Sequence, residues 1–331
     1  MVEFFLQLIL FGIGIAILLK GANLLVSGAS SIASLLKISP IVIGLTVVAF
    51  GTSSPELIVS VTSALSGNTD IALGNIIGSN IANILLILGA SAFLCPLVVQ
   101  KNTVWKEIPM SFLGAIVLSV LALQGIIDRG ELFGLDLQST EIVGSLTASN
   151  GLILLAFFVI FLYYTFGISK ASADEPKVES KKLPVSVGLV ILGLVGLTFG
   201  SKLLVDSGTI IARLLGVSDT FIGLTMVAIG TSLPELITSL VAASKKQVDI
   251  AVGNIVGSNI FNIFFVLGIT AIVSPLPLRA QNIADILVLF ASTVLLFGSL
   301  FVMRRHTIGK IEGALMLLAY VLYIGFLVIR G

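Results

Sequence analysis

Two glutamates stand in otherwise apolar stretches, Glu56 in GTSSPE and Glu235 in GTSLPE. Thr52 and Ser53 precede Glu56 by four and three residues, so on a helix all three project from one face. Thr231, Ser232 and Glu235 repeat that spacing. Pro55 and Pro234 have no amide hydrogen, so the helical bonds to the carbonyls of Gly51 and Gly230 cannot form. Ala49 and Ala228 lie one turn earlier and can add backbone carbonyls. Bare carbonyls at membrane depth are tolerated only inside protein or along a polar cavity. Carboxylate, hydroxyl and carbonyl oxygens within two turns form a hard-oxygen set, suited to Na⁺ or Ca²⁺ and poorly suited to soft metals.

A companion motif reads GNIIGSNIAN in one half and GNIVGSNIFN in the other. Asn75, Ser79 and Asn83 fall at i, i+4 and i+8, a polar stripe on one helical face, and Asn254, Ser258 and Asn262 form a second. Asn80 and Asn259 lie off the stripe and are expected to bond across helices. Gly74, Gly78, Gly253 and Gly257 give G-x-x-x-G spacings that let helices approach closely. A single kinked helix with one acid has a respectable structural explanation. An unpaired acid in a bilayer costs several kcal/mol, and keeping acid, proline and hydroxyls in both copies argues for function.

The elements that position these residues are themselves duplicated. Residues 44–89 align with 223–268 at a constant offset of 179, with 28 of 46 positions identical. Of the 331 residues 57% are hydrophobic and 11% charged, against about a quarter charged in soluble domains. The apolar runs have membrane-spanning length and are too continuous for barrel strands. The expected fold is an all-α membrane protein of ten transmembrane helices, near 3–35, 40–65, 70–91, 107–125, 150–167, 184–216, 219–244, 249–271, 282–303 and 309–329. Residues 1–167 form a first five-helix repeat, 168–183 a charged cytoplasmic linker and 184–331 the second repeat. The polar segment 126–149 is expected to be a surface loop without a counterpart. Lys202 and Asp206 have i,i+4 spacing and read as a structural or interfacial pair.

Other features narrow the function. A net charge of +1 gives no sign of a nucleic-acid partner, and the lone Cys95 excludes a disulfide framework or thiolate cluster. The lone His306 reads as a solvated loop residue. The N-terminus has no basic leader, so it reads as a retained first helix. With that end outside, the inner loops hold Lys37, Lys101, Lys106, Lys170, Lys177, Lys181, Lys182, Lys245, Lys246, Arg304, Arg305 and Lys310. The outer side holds Arg129, Arg213, Arg279 and Arg330. Cytoplasmic loops carry the excess of Lys and Arg, and an odd number of spans per half then makes the two repeats inverted. Two carboxylates neutralise one Ca²⁺ or two Na⁺, so these ions should compete. A further Na⁺ would use neutral oxygens and make exchange electrogenic. Inverted repeats meeting at the midplane suit alternating access.

G-T-S-x-P-E paired with G-N-x-x-G-S-N, present twice, closely resembles the α-repeats of the sodium/calcium exchanger family, within the cation/calcium antiporter superfamily. The compact length and short linker resemble its prokaryotic members. The resemblance implies that Glu56 and Glu235 are the Ca²⁺ carboxylates. It also implies oxygens for Na⁺ and Ca²⁺ from Thr52, Ser53, Thr231 and Ser232, with the carbonyls of Ala49 and Ala228. Ser79 and Ser258 would complete outlying Na⁺ sites, Asn83 and Asn262 the central cluster, and the first and sixth spans would be a sliding pair. Some relatives, including potassium-dependent exchangers, carry Asp where this chain has Asn262, so K⁺ co-transport is not expected.

The leading expectation is therefore Na⁺/Ca²⁺ antiport at a prokaryotic cell membrane, with Na⁺, Ca²⁺ and lipid as partners. No cofactor, no enzymatic activity and a monomeric chain are expected. Proton/Ca²⁺ antiport is the near alternative, although that branch usually presents a G-N-x-x-E style motif. A cation channel fits less well, because it would place rings of acids around an oligomeric axis. An intramembrane hydrolase is disfavoured, because His306 sits in a loop away from any buried serine.

Overall fold

A computed structural model of the chain describes residues 2–129, 139–169, 181–217, 228–302 and 305–330. The first half runs α1 (Val2–Leu36), α2 (Pro40–Ile43), a π turn (Gly44–Val48), α3 (Ala49–Thr52) and α4 (Ser54–Leu65). It continues with α5 (Thr69–Ala82), a second π turn (Asn83–Leu88), α6 (Gly89–Leu94), strand β1 (Leu97–Val98), α7 (Lys101–Trp105) and α8 (Glu107–Arg129). Strand β2 (Ile142–Leu146) and α9 (Ala148–Ser169) close that half. The second half comprises α10 (Leu183–Leu214), α11 (Ala228–Thr231), α12 (Leu233–Ser244), α13 (Val248–Ile260), a π turn (Phe261–Val266) and α14 (Leu267–Val273). It ends with β3 (Leu276–Arg279), α15 (Ala280–Val302), β4 (Thr307–Ile308) and α16 (Lys310–Arg330).

Eight of the described helical stretches are long and apolar enough to cross a bilayer, and Pro40–Thr52 with Ser54–Leu65 makes a further span bent by 43°. The chain is a multi-pass membrane protein. The expected seventh span is described from residue 228 onward, and its first part lies outside the described residues. So do residues 170–180 of the linker, with Lys170 and Lys177, together with Arg304 and the Arg129 side chain.

Glycine spacing sets the packing of the two longest helices. A β-carbon on Gly14 would lie 3.2 Å from the Gly200 carbonyl oxygen, one on Gly21 3.0 Å from that of Gly193, and one on Gly28 2.7 Å from that of Ser186. Each seven-residue step forward on α1 meets a seven-residue step back on α10, so the two pack antiparallel with backbones in contact. Gly253 and Gly257 of α13 meet Ile41, Gly44, Leu45 and Ala49 in the same way, the close approach expected of that spacing.

Four helix ends share one cap. Lys37, Gly67, Gly216 and Lys246 adopt left-handed φ of 54°, 80°, 81° and 59°. Each is followed by a residue whose amide reaches back five positions: Ile38 to Ala33, Asn68 to Ser63, Val217 to Ala212 and Gln247 to Ala242. At the offset of 179, Lys37 corresponds to Gly216 and Gly67 to Lys246.

Short strands tie the halves at both ends of the molecule. β1 pairs antiparallel with β4, and β2 with β3. The described parts of the segment 126–149, residues 126–129 and 139–149, are thus not the unmatched surface loop expected from sequence. It is helical to Arg129, and its strand β2 does for β3 what β4 does for β1. The signal was weak because β2 buries only Val143 and Leu146 and β4 has two residues. At the β2–β3 end Arg279 pairs with Asp70 at 3.2 Å. At the β1–β4 end Gln100 donates to Asp249 at 2.7 Å, the same contact displaced by 179 at both partners. His306 lies in the turn before β4, where its carbonyl accepts the Val99 amide. The expected Lys202–Asp206 pair does not form; both side chains are exposed. Lys N-terminal to Asp is the weaker order against the helix dipole.

Candidate cation site

The two proline-interrupted segments meet through side-chain bonds between the halves. Ser53 and Ser232 interrupt their helices with φ of −84° and −87°, and Pro55 and Pro234 start the next helix at its first turn, where a missing amide costs nothing. Glu56 and Glu235 follow in that turn and are fully buried. A negative side chain there faces the positive end of the helix dipole.

Each carboxylate is held by the other half. The Ser53 hydroxyl donates to Glu235 Oε1 at 2.9 Å, and the Ser232 hydroxyl to Glu56 Oε1 at 3.3 Å. Ser258 adds a bond to Glu235 Oε1 at 3.4 Å. The threonines cross over as well: Thr52 donates to Asn254 Oδ1 at 3.0 Å and Thr231 to Asn75 Oδ1 at 3.1 Å. Asn75 Nδ2 then reaches Ser60 at 2.9 Å and the Glu56 carbonyl at 3.3 Å, while Asn254 Nδ2 reaches Ser239 at 3.0 Å and the Glu235 carbonyl at 3.4 Å. Every one of these contacts except that of Ser258 recurs at the offset of 179.

The chemistry follows from where the protons point. A hydroxyl has one donor and two acceptor lone pairs. Ser53, Ser232, Thr52 and Thr231 commit their protons to carboxylate or amide oxygens, which leaves their own oxygens as acceptors. Glu56 Oε2, Glu235 Oε2, Ser79 Oγ, Asn83 Oδ1 and Asn262 Oδ1 are buried without a hydrogen-bond partner among the described residues. An unpartnered buried polar group costs about 1–3 kcal/mol. These five oxygens, two of them on the carboxylates themselves, are of the hard type that Na⁺ and Ca²⁺ take.

Of the residues expected from sequence, Glu56, Glu235, Thr52, Ser53, Thr231, Ser232 and Ser258 join one network. Ser79, Asn83 and Asn262 supply unpartnered oxygens. The Ala49 carbonyl accepts the Ser53 amide at 2.9 Å and lies 3.3 Å from the Thr52 hydroxyl, whose single proton goes either to it or to Asn254 Oδ1. Ala228 starts α11, and its side chain lies outside the described residues. Two expectations need correction. The Gly230 carbonyl, freed by Pro234, is not bare: Ser201 of α10 donates to it at 2.7 Å. Ala22 stands at the related place in α1 and has no hydroxyl to offer Gly51. Asn259 does bond across helices, accepting from Asn83 at 3.0 Å, but Asn80 turns back to the Ile76 carbonyl of its own helix at 2.7 Å.

Sequence reading missed the bracing by Asn75, Asn254, Ser60 and Ser239. It also missed two buried acids near opposite ends of the molecule. Tyr164 donates to Glu107 near the β1–β4 end, and Tyr323 donates to Asp285 near the β2–β3 end, where Arg330 completes the pairing at 3.0 Å. An acid in the first turns of α8 and of α15, with a tyrosine late in the following span, was the available signal.

Comparison with known proteins places this arrangement. The family profile described as sodium/calcium exchanger protein matches residues 6–167 and 185–329. The candidate antiporter CaxA of Alkalimonas amylolytica is 42% identical over 94% of this chain and 95% of its own length. The sodium/calcium exchanger MaX1 of Methanosarcina acetivorans is 31% identical over 94% of this chain and 95% of its own. A solved structure of the sodium-calcium exchanger NCX_Mj, soaked with Na⁺ and Sr²⁺, superposes with a TM-score of 0.82 at 33% identity, covering 97% of this chain and 99% of that one.

Proposed function

The chain belongs to the sodium/calcium exchanger family, and from that premise we propose that it exchanges Na⁺ for Ca²⁺ across the cell membrane by alternating access, electrogenically and without K⁺. The observation that carries this reading is the fully buried pair Glu56 and Glu235, each held by the other half's serine and each with one oxygen unpartnered. Two carboxylates balance one Ca²⁺ or two Na⁺. Any further Na⁺ falls to neutral oxygens such as Ser79, Ser258 or the backbone of Ala49 and Ala228, which makes net charge move with each cycle. With asparagine at both Asn83 and Asn262, the described site offers no third acid for K⁺.

Alternating access in this reading rests on ten spans in two inverted repeats, 1–167 and 184–331, joined by the linker 168–183, with the N-terminus outside. The antiparallel packing of α1 on α10 supports it, as do the offset-related contacts at opposite ends. The side assignment draws on lysine placement. Lys181 and Lys245 lie close enough that Lys245, already lowered by partial burial, is pushed further down by the Lys181 ammonium. The chain supplies both halves of the site, so a monomer suffices.

The test is purified protein in sealed vesicles. Ca²⁺ uptake should follow an imposed Na⁺ gradient and be altered by membrane potential. Uptake driven by a pH gradient alone would replace this reading with proton/Ca²⁺ antiport, and flux without any counter-ion would indicate a channel.

A further inference from the structure

Two buried acids outside the central site are built alike and paired differently. Asp285 lies in the second turn of α15 and is 8% exposed. It accepts from the Tyr323 hydroxyl at 3.2 Å, and the two terminal nitrogens of Arg330 reach its two oxygens at 3.0 Å each. Both oxygens are satisfied and the charge is balanced. At the other end of the molecule Glu107, one residue from the place that the offset of 179 gives for Asp285, opens α8 and is 1% exposed. Its Oε1 accepts the Tyr164 hydroxyl, as Asp285 accepts that of Tyr323. Its Oε2 has no hydrogen-bond partner, and no lysine or arginine among the described residues pairs with it. The ammonium of Lys106 lies over the Tyr164 ring instead, 6.0 Å from its centre. The positive end of the α8 dipole amounts to about half a unit charge and offsets the carboxylate only in part.

A second oxygen lies beside the first. Ser111 is four residues further on, so its side chain neighbours that of Glu107 on one face of α8. It is fully buried, and its Oγ has no partner. A buried helical serine can spend its proton on the carbonyl four residues back. Ser119 of the same helix does so with Ala115 at 2.7 Å, and Ser292 with Val288 at 2.7 Å. Ser111 does not make that bond to the Glu107 carbonyl. Tyr164 has committed its one proton to Oε1, so its oxygen also keeps acceptor lone pairs. The result is three hard oxygens carrying one negative charge.

We propose that Glu107, Ser111 and Tyr164 form a second cation site, apart from the central one, which holds one monovalent ion of the Na⁺ type in the role that Arg330 fills for Asp285. One carboxylate balances one such charge. A divalent ion would leave a buried charge uncompensated, which is costly, and oxygen ligands suit soft metals poorly. Two unpartnered oxygens on one face favour an ion that gathers both over a proton held by one. The ion neutralises the junction of α8 with α9 and is not cargo.

The test uses the full chain in detergent carrying Glu56→Gln and Glu235→Gln, which removes the charges of the central site. Trp105, the sole tryptophan, stands two residues before Glu107 and reports locally. Melting temperature and Trp105 fluorescence are followed as NaCl replaces choline chloride at constant ionic strength. Na⁺ should raise the melting temperature and change the fluorescence saturably, since an ion that binds the native state stabilises it. Adding Glu107→Gln should abolish both responses. In choline it should also raise the melting temperature, because it removes a buried charge that nothing balances, whereas a merely structural glutamate would lose stability in either salt. Ser111→Ala should keep the response at about fivefold higher Na⁺, and it decides the matter if Glu107→Gln does not fold. No Na⁺ dependence, a dependence that survives Glu107→Gln or is untouched by Ser111→Ala, or a response to Ca²⁺ at lower concentration than to Na⁺ would overturn the site. So would stabilisation by acid alone in choline equal to that by Na⁺, which would mark a proton site. None of these measurements needs flux, so they are judged apart from the vesicle test of exchange.

Discussion

Glu56 and Glu235 together carry the formal charge of the candidate site, and each is stabilised by a serine from the other half. Replacing either with glutamine keeps size and hydrogen-bonding capacity while removing one of two charges around the ion. Breaking a buried charge pair costs about 3 kcal/mol or more, a hundredfold or greater loss of affinity. Glu56→Gln and Glu235→Gln should therefore reduce Ca²⁺ uptake in vesicles to background with unchanged elution and melting behaviour. Substantial uptake by either variant would rule out a shared carboxylate pair. Ser79→Ala and Ser258→Ala should act more gently, keeping Ca²⁺ binding in calorimetry but weakening its competition by Na⁺. The grouping of these candidate ligands was legible in the sequence because i, i+3 and i+4 spacing places them on one face. The braces were not: Thr231 finds Asn75 across the other half of the chain, and nothing local marks the partner.

At the scale of elements, stability is concentrated where backbones touch. A β-carbon on Gly193 would sit 2.6 Å from the Leu25 amide nitrogen, while one on Gly188 of the same helix meets nothing within 4 Å. Gly193→Ala should lower the melting temperature in detergent, at about 1–3 kcal/mol for an overpacked contact. Gly188→Ala should be neutral or slightly stabilising, since alanine favours helix over glycine by about 1 kcal/mol. Equal effects of the two would contradict the backbone contact between α1 and α10. The helix caps offer a second check. Lys246 holds the left-handed conformation that its counterpart Gly67 adopts freely. Lys246→Gly should raise the melting temperature by relieving about 1 kcal/mol of strain. The spans themselves were legible from composition, to within a few residues at most ends. β1, β2, β3 and β4 were not, because strands of two to five residues carry too little alternation and their pairing joins distant parts of the chain.

For the whole molecule, duplication is the organising fact. One set of contacts, made twice, fixes the braces of the site, the caps and the ties at both ends; it is not repeated at the Asn83–Asn259 bond, at Ser258, or where Ala22 stands in the place of Ser201. The repeat could be read from the offset of 179, and lysine placement carries the proposal that its two copies are inverted. The asparagine departures could not, because Asn80 and Asn83 match Asn259 and Asn262 residue for residue at that offset. A molecule of this construction should move charge outward-to-inward or inward-to-outward with equal competence, the ion gradients setting the direction. The most direct test of that account is Ca²⁺ uptake by protein-loaded vesicles under separately imposed Na⁺, H⁺ and K⁺ gradients, with and without a clamped potential. An outward Na⁺ gradient alone should drive uptake that changes with potential and ignores K⁺, and that disappears in Glu56→Gln and Glu235→Gln. Uptake that follows the proton gradient and is indifferent to Na⁺ would contradict it.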